Sequence, residues 1–219
     1  MSAKFIIKTT KQKVSLNREK QQTEEQFDRG EQAMIVREND TVVLVEGKQF
    51  KYYLNKRTGL FSKLIFDGKD QLMQPMEVNI WGEPTCNDIY AKLEWYRARY
   101  DKTSVCAYNT LLEKKENTVV IHSSMSLASD AVQRILDIQT VWTIDAEGII
   151  FLDMHVKRCP EFPTLPKFGI RMHLAKDQNL VNCSGIGSNG CGPELAEQYG
   201  LDRKEFEFTM KLVPYTKGE

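Results

Sequence analysis

Apolar and polar residues alternate along most of the chain after about residue 32. Successive side chains of a β-strand point to opposite faces of its sheet, so a run of large apolar residues of one parity predicts a strand with one buried face. Five such runs occur: Val119, Ile121, Met125 and Leu127; Leu136, Ile138, Trp142 and Ile144; Ile150, Leu152, Met154 and Val156; Phe168, Ile170, Met172 and Leu174; and Phe206, Phe208, Met210 and Leu212.

Turn signals and one helical pattern complete this outline. The polar stretches Asn55–Gly59 and Asp145–Gly148 each end in a glycine, which can adopt the positive φ that tight hairpins need. Helical spacing predicts one short amphipathic helix over Asp88–Tyr100. Its apolar stripe consists of Ile89, Leu93, Tyr96 and Tyr100. Many strands, regular turns and almost no helix predict an all-β antiparallel sandwich.

The first 31 residues do not share the alternation. Residues 9 to 31 contain only three large apolar side chains, namely Val14, Leu16 and Phe27. Such a stretch cannot cover much of a core, so it predicts a linker, a frayed helix or the remnant of a preceding domain. We therefore divide the chain into a polar N-terminal segment, residues 1–31, and a β-sandwich domain, residues 32–219.

Composition and charge narrow the class of protein. Of the 219 residues, 41% are hydrophobic and 27% are charged, which is typical of a globular protein. Thirty basic residues balance thirty acidic ones, so no basic excess favours nucleic acid or an anionic membrane as a partner. No run approaches the roughly 18 apolar residues of a transmembrane helix. The apolar run Phe5–Ile7 is too short for a signal-peptide core, which predicts a cytoplasmic protein.

Cysteines and histidines give little support for a thiol or metal site. The cysteines, at positions 86, 106, 159, 183 and 191, are odd in number and contain no Cys-x-x-Cys pair, so we expect free thiols. Cys183 or Cys191 as a nucleophile would need a nearby histidine that the sequence does not supply. The three histidines, His122, His155 and His173, lie opposite the apolar parity of their strands and lack the local spacing typical of zinc ligands. We therefore expect neither a metal ion nor a cofactor.

A glycine-rich motif, Gly185-Ile186-Gly187-Ser188-Asn189-Gly190, matches the G-x-G-x-x-G pattern of dinucleotide-binding loops. That function needs a preceding strand and a long helix whose N-terminus meets the phosphate. Here Pro193 and Gly200 confine any following helix to less than two turns, and two glutamates lie within it. We therefore interpret the motif as a loop between strands.

Carboxylates and aromatic rings are the remaining candidates for sugar chemistry. Glycoside hydrolysis uses two carboxyl groups on either side of the anomeric carbon. Four aspartates lie in or beside β segments, and a solvated face explains each of them better: Asp88, Asp137, Asp145 and Asp153. Trp142 shares the parity of the core, whereas Trp81 and Trp95 flank an irregular region and are candidates for ligand contact.

Four segments carry a family resemblance. The first is Asn55–Gly68, followed by Gln71–Pro75 and by Asn79-Ile-Trp81-Gly-Glu-Pro84-Thr-Cys-Asn87-Asp88; the others are Leu165–Leu174, Gly185–Leu195 and Glu205–Pro214. Each segment resembles one part of a known domain, in the same order. The first resembles its hairpin and Trp-Arg-Ala-Pro-Thr-Asp-Asn-Asp stretch, and the second resembles its Pro-Arg-x-Gly strand. The third resembles its Gly-x-Gly turn, and the fourth resembles its final strand. That domain is the C-terminal β domain of β-galactosidases of glycoside hydrolase family two.

The resemblance implies a fold and a role. The fold is a twisted antiparallel super-sandwich of the galactose-mutarotase type, in agreement with the strand pattern. In that family the acid/base and nucleophile glutamates belong to a TIM barrel earlier in the polypeptide, and this sequence has no such barrel pattern. The resemblance therefore implies no catalytic residue here. It implies a domain that completes the active-site rim of a catalytic barrel domain or large subunit, which binds a galactoside sugar.

The resemblance also selects candidate residues and surfaces. The family's rim motif matches Pro84, Asn87 and Asp88, which together with the aromatic residues Trp81 and Trp95 are the substrate-adjacent candidates. Ten residues separate Leu174 from Gly185, where the family has a longer stretch that carries its aromatic platform, so we assign no platform residue. Missing strands leave sheet edges that favour association, so a homo-oligomer is a further expectation.

Two alternatives remain open. A free-standing aldose 1-epimerase of the mutarotase fold would pair one of the histidines with a carboxylate across the anomeric carbon. A carbohydrate-binding module would use Trp81 or Trp95 as a stacking surface. Neither function needs a catalytic barrel. Epimerase activity or sugar binding by the isolated chain would therefore distinguish these two functions from that of a non-catalytic β-galactosidase domain.

Overall fold

The computed structural model describes residues 2–10, 34–84, 88, 91–130, 133–174 and 204–217; for residues 2–10 and 216–217 only the backbone is described. The elements in this part of the chain are β1 (Ser2–Thr10), β2 (Ile35–Glu38), β3 (Val42–Glu46), β4 (Phe50–Asn55), β5 (Leu60–Phe66), β6 (Lys69–Asp70), β7 (Glu77–Asn79), α1 (Ala91–Arg97), β8 (Thr103–Lys114), β9 (Thr118–Ser129), β10 (Arg134–Asp145), β11 (Ile150–Arg158), β12 (Gly169–Arg171) and β13 (Glu205–Lys217). All strand pairs are antiparallel. The prediction of an all-β antiparallel sandwich with one short helix is confirmed.

The largest sheet has six strands in the order β1-β13-β11-β10-β9-β8. Its alternation is clearest in β11, where buried and exposed side chains alternate over all nine residues. The predicted apolar runs of β9, β10 and β11 are buried throughout, and those around β12 and β13 are buried or packed against the core. Period-two patterning therefore identifies the buried face of these strands correctly; β12 itself belongs to a separate two-stranded sheet with β7.

A five-stranded sheet, in the order β2-β3-β4-β5-β6, packs its apolar face against the larger sheet. The Phe61 ring of β5 meets the Trp142 ring of β10 edge to face, with 4.8 Å between ring centroids. The Tyr52 hydroxyl of β4 donates a hydrogen bond of 2.8 Å to the Gly148 carbonyl oxygen in the β10–β11 turn. Large aromatic side chains thus form the centre of the interface between the two sheets.

Both predicted hairpins are confirmed. Gly59 has a φ of 67° and its amide donates to the Asn55 carbonyl oxygen at 2.8 Å, which closes the turn between β4 and β5. Gly148 has a φ of 84° and its amide donates to the Asp145 carbonyl oxygen at 3.0 Å, between β10 and β11. Glycine is suited to both positions because a Cβ is disfavoured at positive φ.

The helix differs from its prediction in length and orientation. It ends at Arg97 because Arg99 adopts a left-handed conformation, with a φ of 58°. The amides of Arg99 and Tyr100 then donate to the carbonyl oxygens of Tyr96 and Trp95, as in a Schellman C-cap. Arg99 forms a bidentate ion pair with Asp130: Nη2 donates to Oδ2 at 2.7 Å and Nε donates to Oδ1 at 3.1 Å.

The predicted apolar stripe of the helix is wrong for Leu93 and Tyr96 and correct for Tyr100. Leu93 is 57% exposed and Tyr96 is 48% exposed, whereas Trp95, Ala98 and Tyr100 are buried. Hydrogen bonds from Trp95 and Tyr100 to a distant loop determine which face is buried, and helical periodicity cannot predict them. The side chain of Ile89 lies outside the described residues.

The N-terminal segment contributes a strand to the largest sheet. Ser2–Thr10 forms β1 and pairs along its length with β13, from Ser2 opposite Lys217 to Thr10 opposite Thr209. The division of the chain at residues 31 and 32 stays a prediction. In the described part of the chain Cys106 and Cys159 are free thiols, and the single helix, of seven residues, is too short to cross a membrane.

Candidate functional site

The predicted rim residues lie on the segment that links β7 to α1. Trp81 and Pro84 are half-buried, and Asp88 is 7% exposed. Asn87 lies outside the described residues, as does the whole glycine-rich motif with Cys183 and Cys191. A carboxylate is seldom buried without a partner, so the burial of Asp88 favours a structural role for its side chain over direct access to a ligand.

Trp81 packs against the exposed side of α1. Its ring meets that of Tyr96 edge to face, with 5.1 Å between ring centroids. The backbone amide of Trp81 donates to the Asn79 Oδ1 atom at 3.1 Å, which fixes the path of the chain as it leaves β7. Trp81 therefore presents a positioned, half-buried aromatic ring at the surface.

Trp95 does not join Trp81 at this surface. It is 3% exposed, and its Nε1 donates a hydrogen bond of 2.9 Å to the Thr164 carbonyl oxygen. A buried indole whose only donor is already used has no polar group to offer a ligand. The structure thus places Trp95 in the core, because the loop after β11 supplies its partner.

That loop is an anchoring point for the helix. Three successive carbonyl oxygens accept hydrogen bonds from buried side chains: Phe162 from Arg158 at 2.5 Å, Pro163 from Tyr100 at 2.7 Å, and Thr164 from Trp95 at 2.9 Å. Burial raises the pKa of the Tyr100 hydroxyl well above its usual range. The hydroxyl therefore remains a donor even in mild alkali, and its bond, together with that of Trp95, holds α1 against the loop that follows β11.

A cavity of about 310 Å³ opens beside Trp81, between the two-stranded β7–β12 sheet, the start of β8 and the β4–β5 turn. We call it the Asn79 cavity. Its walls carry three kinds of side chain: charged groups of Glu77, Asp101 and Arg171; polar groups of Thr58, Asn79, Thr103 and Ser104; and the apolar or aromatic side chains of Leu60, Met76, Val78, Trp81, Tyr100 and Val105. Acceptors, donors and apolar surface are thus combined in one small space.

A hydrogen-bond network organises one wall of the Asn79 cavity. Arg171 of β12 donates through Nη2 to the Asn79 Oδ1 at 2.8 Å, and its Nη1 lies 3.5 Å from the Glu77 Oε2. The register of the short sheet brings these side chains together, since Arg171 lies opposite Glu77. Arg171 also affects Lys167: burial lowers the pKa of the Lys167 amine, and the positive charge of Arg171 acts in the same direction.

The histidines lie outside the core, as predicted. His122 Nε2 is 3.7 Å from Glu113 Oε1, and His155 Nε2 is 3.7 Å from Glu205 Oε2; all four side chains are substantially exposed. A shallow hollow of about 110 Å³ lies beside His155. No group of three or more His, Cys, Asp or Glu side chains within the described ranges has the arrangement of a metal site.

Sequence reasoning missed the polar residues of the Asn79 cavity. A local signal existed, because Arg171 interrupts the apolar run around β12 with a charge at the opposite parity. Asn79 and Arg171 are 92 positions apart, however, and nothing in the pattern states that β7 pairs with β12. Only the tertiary structure identifies the two residues as one network.

Comparison with known proteins gives consistent matches. A family model described as "Beta galactosidase small chain" matches residues 46–182. The chain is 35% identical over 152 residues to a β-galactosidase of Actinobacillus pleuropneumoniae, a match that covers 69% of this chain and 15% of the relative. It is 25% identical over 158 residues to a β-galactosidase of Staphylococcus xylosus, covering 72% and 16%. A β-galactosidase of Lactobacillus delbrueckii subsp. bulgaricus matches at 24% over 177 residues, covering 80% and 17%.

Proposed function

Because this chain belongs to the β-galactosidase small-chain family, we propose that it is the C-terminal, non-catalytic β-sandwich of a β-galactosidase-type glycoside hydrolase. The complete enzyme hydrolyses terminal β-galactosides, with its catalytic glutamates in a barrel domain or large subunit. This chain completes the rim of that active site and contributes to quaternary contacts.

One observation carries the proposal: the matched relatives are far longer than this chain. The chain spans only 15–17% of the length of the three β-galactosidases described above, although each match covers more than two thirds of the chain. A module that corresponds to so small a part of an enzyme is expected to act together with the remainder. The family match, which includes the whole segment from β7 to α1, supports the same conclusion.

The rim role rests on Trp81 and Pro84. Both residues are half-buried, so each is anchored in the fold and still has surface to contact a sugar or a neighbouring domain. In the complete enzyme, Trp81→Ala is expected to lower kcat/KM. Tyr53→Ala, which truncates a half-buried aromatic residue of β4 that does not line the cavity, serves as the control. Equal kcat/KM values for both variants and the parent enzyme would remove Trp81 from the rim.

The quaternary role is assigned to the outer strand β8. In the described part of the largest sheet β8 has one neighbouring strand, β9, and it exposes the large side chains of Tyr108 and Leu111. An edge strand with exposed apolar groups favours association with another surface. The molar mass measured by light scattering, for the chain alone and for its mixture with the catalytic part, tests this role. A chain that stays monomeric alone and forms no complex in the mixture contradicts it.

The non-catalytic role is tested by an assay of the purified chain on an aryl β-galactoside. Hydrolysis needs a general acid and a nucleophile carboxylate on either side of the anomeric carbon. We expect no turnover, because the proposal places both of these glutamates in the catalytic part of the enzyme and not in this chain. Robust hydrolysis that survives further purification refutes the proposal.

An aldose 1-epimerase is the alternative function, and the hollow beside His155, which Asp153 and Glu207 also line, is the observation that favours it. The function needs a histidine and a carboxylate on opposite sides of the anomeric carbon, and the hollow of about 110 Å³ is shallow. Polarimetry of freshly dissolved α-galactose with the chain tests this function. A rate of mutarotation equal to that of buffer removes it, and a rate that falls in His155→Gln supports it.

A further inference from the structure

We propose that the exposed side of α1 is a docking surface of this chain for the catalytic part of the enzyme. The surface consists of Trp81, Leu93 and Tyr96, with Lys167 at its border, and we call it the α1 patch. The inference rests on the proposed function, and it names a second contact in addition to strand β8. It requires a partner surface with an apolar hollow and a carboxylate at the edge of that hollow.

The apolar part of the α1 patch is continuous. Leu93 is 57% exposed and Tyr96 is 48% exposed, and residues three positions apart lie on the same side of a helix. The ring of Tyr96 in turn meets the half-buried ring of Trp81 edge to face, with 5.1 Å between ring centroids. A single exposed leucine is ordinary on a protein surface, whereas adjacent large apolar side chains indicate an interaction site. Tryptophan and tyrosine are also among the residues that most often dominate the binding energy of protein interfaces.

The helix cannot bury this side by rotating about its axis. Its opposite side is fixed by two hydrogen bonds, from Nε1 of Trp95 to the Thr164 carbonyl oxygen at 2.9 Å and from the Tyr100 hydroxyl to the Pro163 carbonyl oxygen at 2.7 Å. Rotation would break both bonds and bring the buried indole of Trp95 into water. The α1 patch is therefore presented in a fixed geometry, which lowers the entropic cost of binding.

Lys167 supplies a charge at the border of the α1 patch. Its side chain lies across Gly82, the residue after Trp81, because its Nζ would be 3.4 Å from a Cβ at that glycine. The residue is half-buried, and its amine forms no ion pair with any residue that the structure describes. Burial lowers the pKa of this amine, and the charge of Arg171 acts in the same direction, whereas a neighbouring carboxylate would raise it. A half-buried charge is normally paired, so a carboxylate of the docked partner is the expected counter-charge.

The other charged residues beside the patch also favour an acidic partner. Lys92 and Arg97 of α1 outnumber Glu94, and Lys167 is offset only by the exposed Glu83. Three positive side chains thus face two negative ones, on a chain whose basic and acidic residues are otherwise balanced. Complementary charge on the partner would speed association and fix its orientation, and salt would weaken this contribution.

The test measures by calorimetry the affinity of the whole chain for the catalytic part of the same enzyme, produced without this chain. Leu93→Asp is expected to fold normally, since Leu93 is exposed, and to raise Kd by about tenfold or more, because it places a charge against the apolar hollow of the partner. Met73→Asp is the matched control. Met73 is 71% exposed and lies outside the α1 patch, so this variant should bind like the parent chain.

A second set of variants tests the charge of Lys167. Lys167→Met keeps the aliphatic packing across Gly82 and removes the charge, so it should raise Kd by about tenfold and make Kd less sensitive to sodium chloride. Lys167→Arg keeps the charge and should retain most of the affinity and its salt dependence. Lys63→Met, at an exposed position of β5, is the control and should leave both unchanged.

Three results would overturn the inference, and they are distinguishable. If the parent chain binds the catalytic part and either Leu93→Asp or Lys167→Met binds equally well, the contact lies elsewhere and the proposed function is unaffected. If light scattering shows a dimer of the chain that Leu93→Asp converts to a monomer, the α1 patch joins two copies of this chain. A parent chain that does not bind the catalytic part at all would contradict the proposed function, and this inference with it.

Discussion

Nε1 of Trp142 donates a hydrogen bond of 2.9 Å to the carbonyl oxygen of Gly59, and the bond is buried between the two large sheets. Trp142 belongs to β10 of the six-stranded sheet, and Gly59 closes the turn that leads into β5 of the five-stranded sheet. One side chain therefore joins the two layers of the sandwich by packing and by a hydrogen bond.

Replacing this indole should destabilise the sandwich. Trp142→Phe removes the donor, leaves the Gly59 carbonyl oxygen buried without it, and creates a small cavity, at a cost of about 2–4 kcal/mol in the free energy of unfolding. Urea denaturation measures this loss. The control is Trp81→Phe at a half-buried position, for which we expect about 1 kcal/mol or less. Equal losses in the two variants would contradict the role assigned to Trp142.

Tyr52 makes a second connection between the sheets through its hydroxyl group. Tyr52→Phe leaves the Gly148 carbonyl oxygen without this buried donor and should lower the free energy of unfolding by about 1–2 kcal/mol. Tyr53→Phe, at the next and more exposed position of β4, should change it by about 0.5 kcal/mol or less. Thermal or urea unfolding compares the two, and a larger loss in Tyr53→Phe would be inconsistent with this structure.

The same tyrosine should make the protein sensitive to alkali. Burial, together with the negative charge of Asp145, raises the pKa of Tyr52 far above its usual range. An unfolded tyrosine loses its proton near pH 10, so above that pH the unfolded state binds fewer protons than the native state. Stability contributed by Tyr52 is therefore present below about pH 10 and falls as pH rises, by up to about 1.4 kcal/mol per pH unit.

Unfolding in urea between about pH 9 and pH 12 measures this slope. Tyr52→Phe should be less stable than the parent chain at neutral pH and should lose stability less steeply in alkali. Tyr100→Phe should show the same reduction in slope, since burial also raises the pKa of the Tyr100 hydroxyl. Parallel curves for Tyr52→Phe and the parent chain would show that Tyr52 is not shielded from water.

Two glycines with similar backbone angles provide a controlled comparison. Gly59 and Gly68 have φ values of 67° and 71°, so alanine at either position pays for the left-handed conformation, about 1–2 kcal/mol. A Cβ at Gly59 would also lie 2.6 Å from Cε of Met125, whereas one at Gly68 would meet nothing within 4 Å. Gly59→Ala should therefore lose about 1 kcal/mol more than Gly68→Ala in urea denaturation, because the buried Met125 must shift its flexible end. Equal losses would mean that Met125 moves aside at no cost.

The strands and hairpins could be predicted from the sequence because their signals are local. Alternation over β9, β10 and β11 identifies a buried face without reference to any partner, and Gly59 and Gly148 identify their turns by chemistry alone. The register between strands and the pairing of β1 with β13 depend on distant residues, and the sequence pattern does not contain them.

The helix and the cavity show where such reasoning ends. Helical periodicity treats every apolar side chain as a candidate for burial and favours Leu93 and Tyr96 as well as Tyr100, although only Tyr100 of these three is buried. The structure buries Trp95 and Tyr100 because carbonyl oxygens of Thr164 and Pro163, more than 60 positions away, accept their hydrogen bonds. The candidate Trp81 was identified from its irregular surroundings, whereas its neighbour Asn79 became visible only through the contact with β12.

We propose that this chain acts as a structural module of a β-galactosidase. The most direct measurement uses the Actinobacillus pleuropneumoniae relative, with the segment that matches this chain either deleted or replaced by this chain. We expect the deletion to reduce hydrolysis of an aryl β-galactoside to a residual rate and the replacement to raise that rate by about a hundredfold or more, since misplacement of an active-site rim has effects of that size. Full activity after deletion, or a folded hybrid no more active than the deleted enzyme, would contradict it.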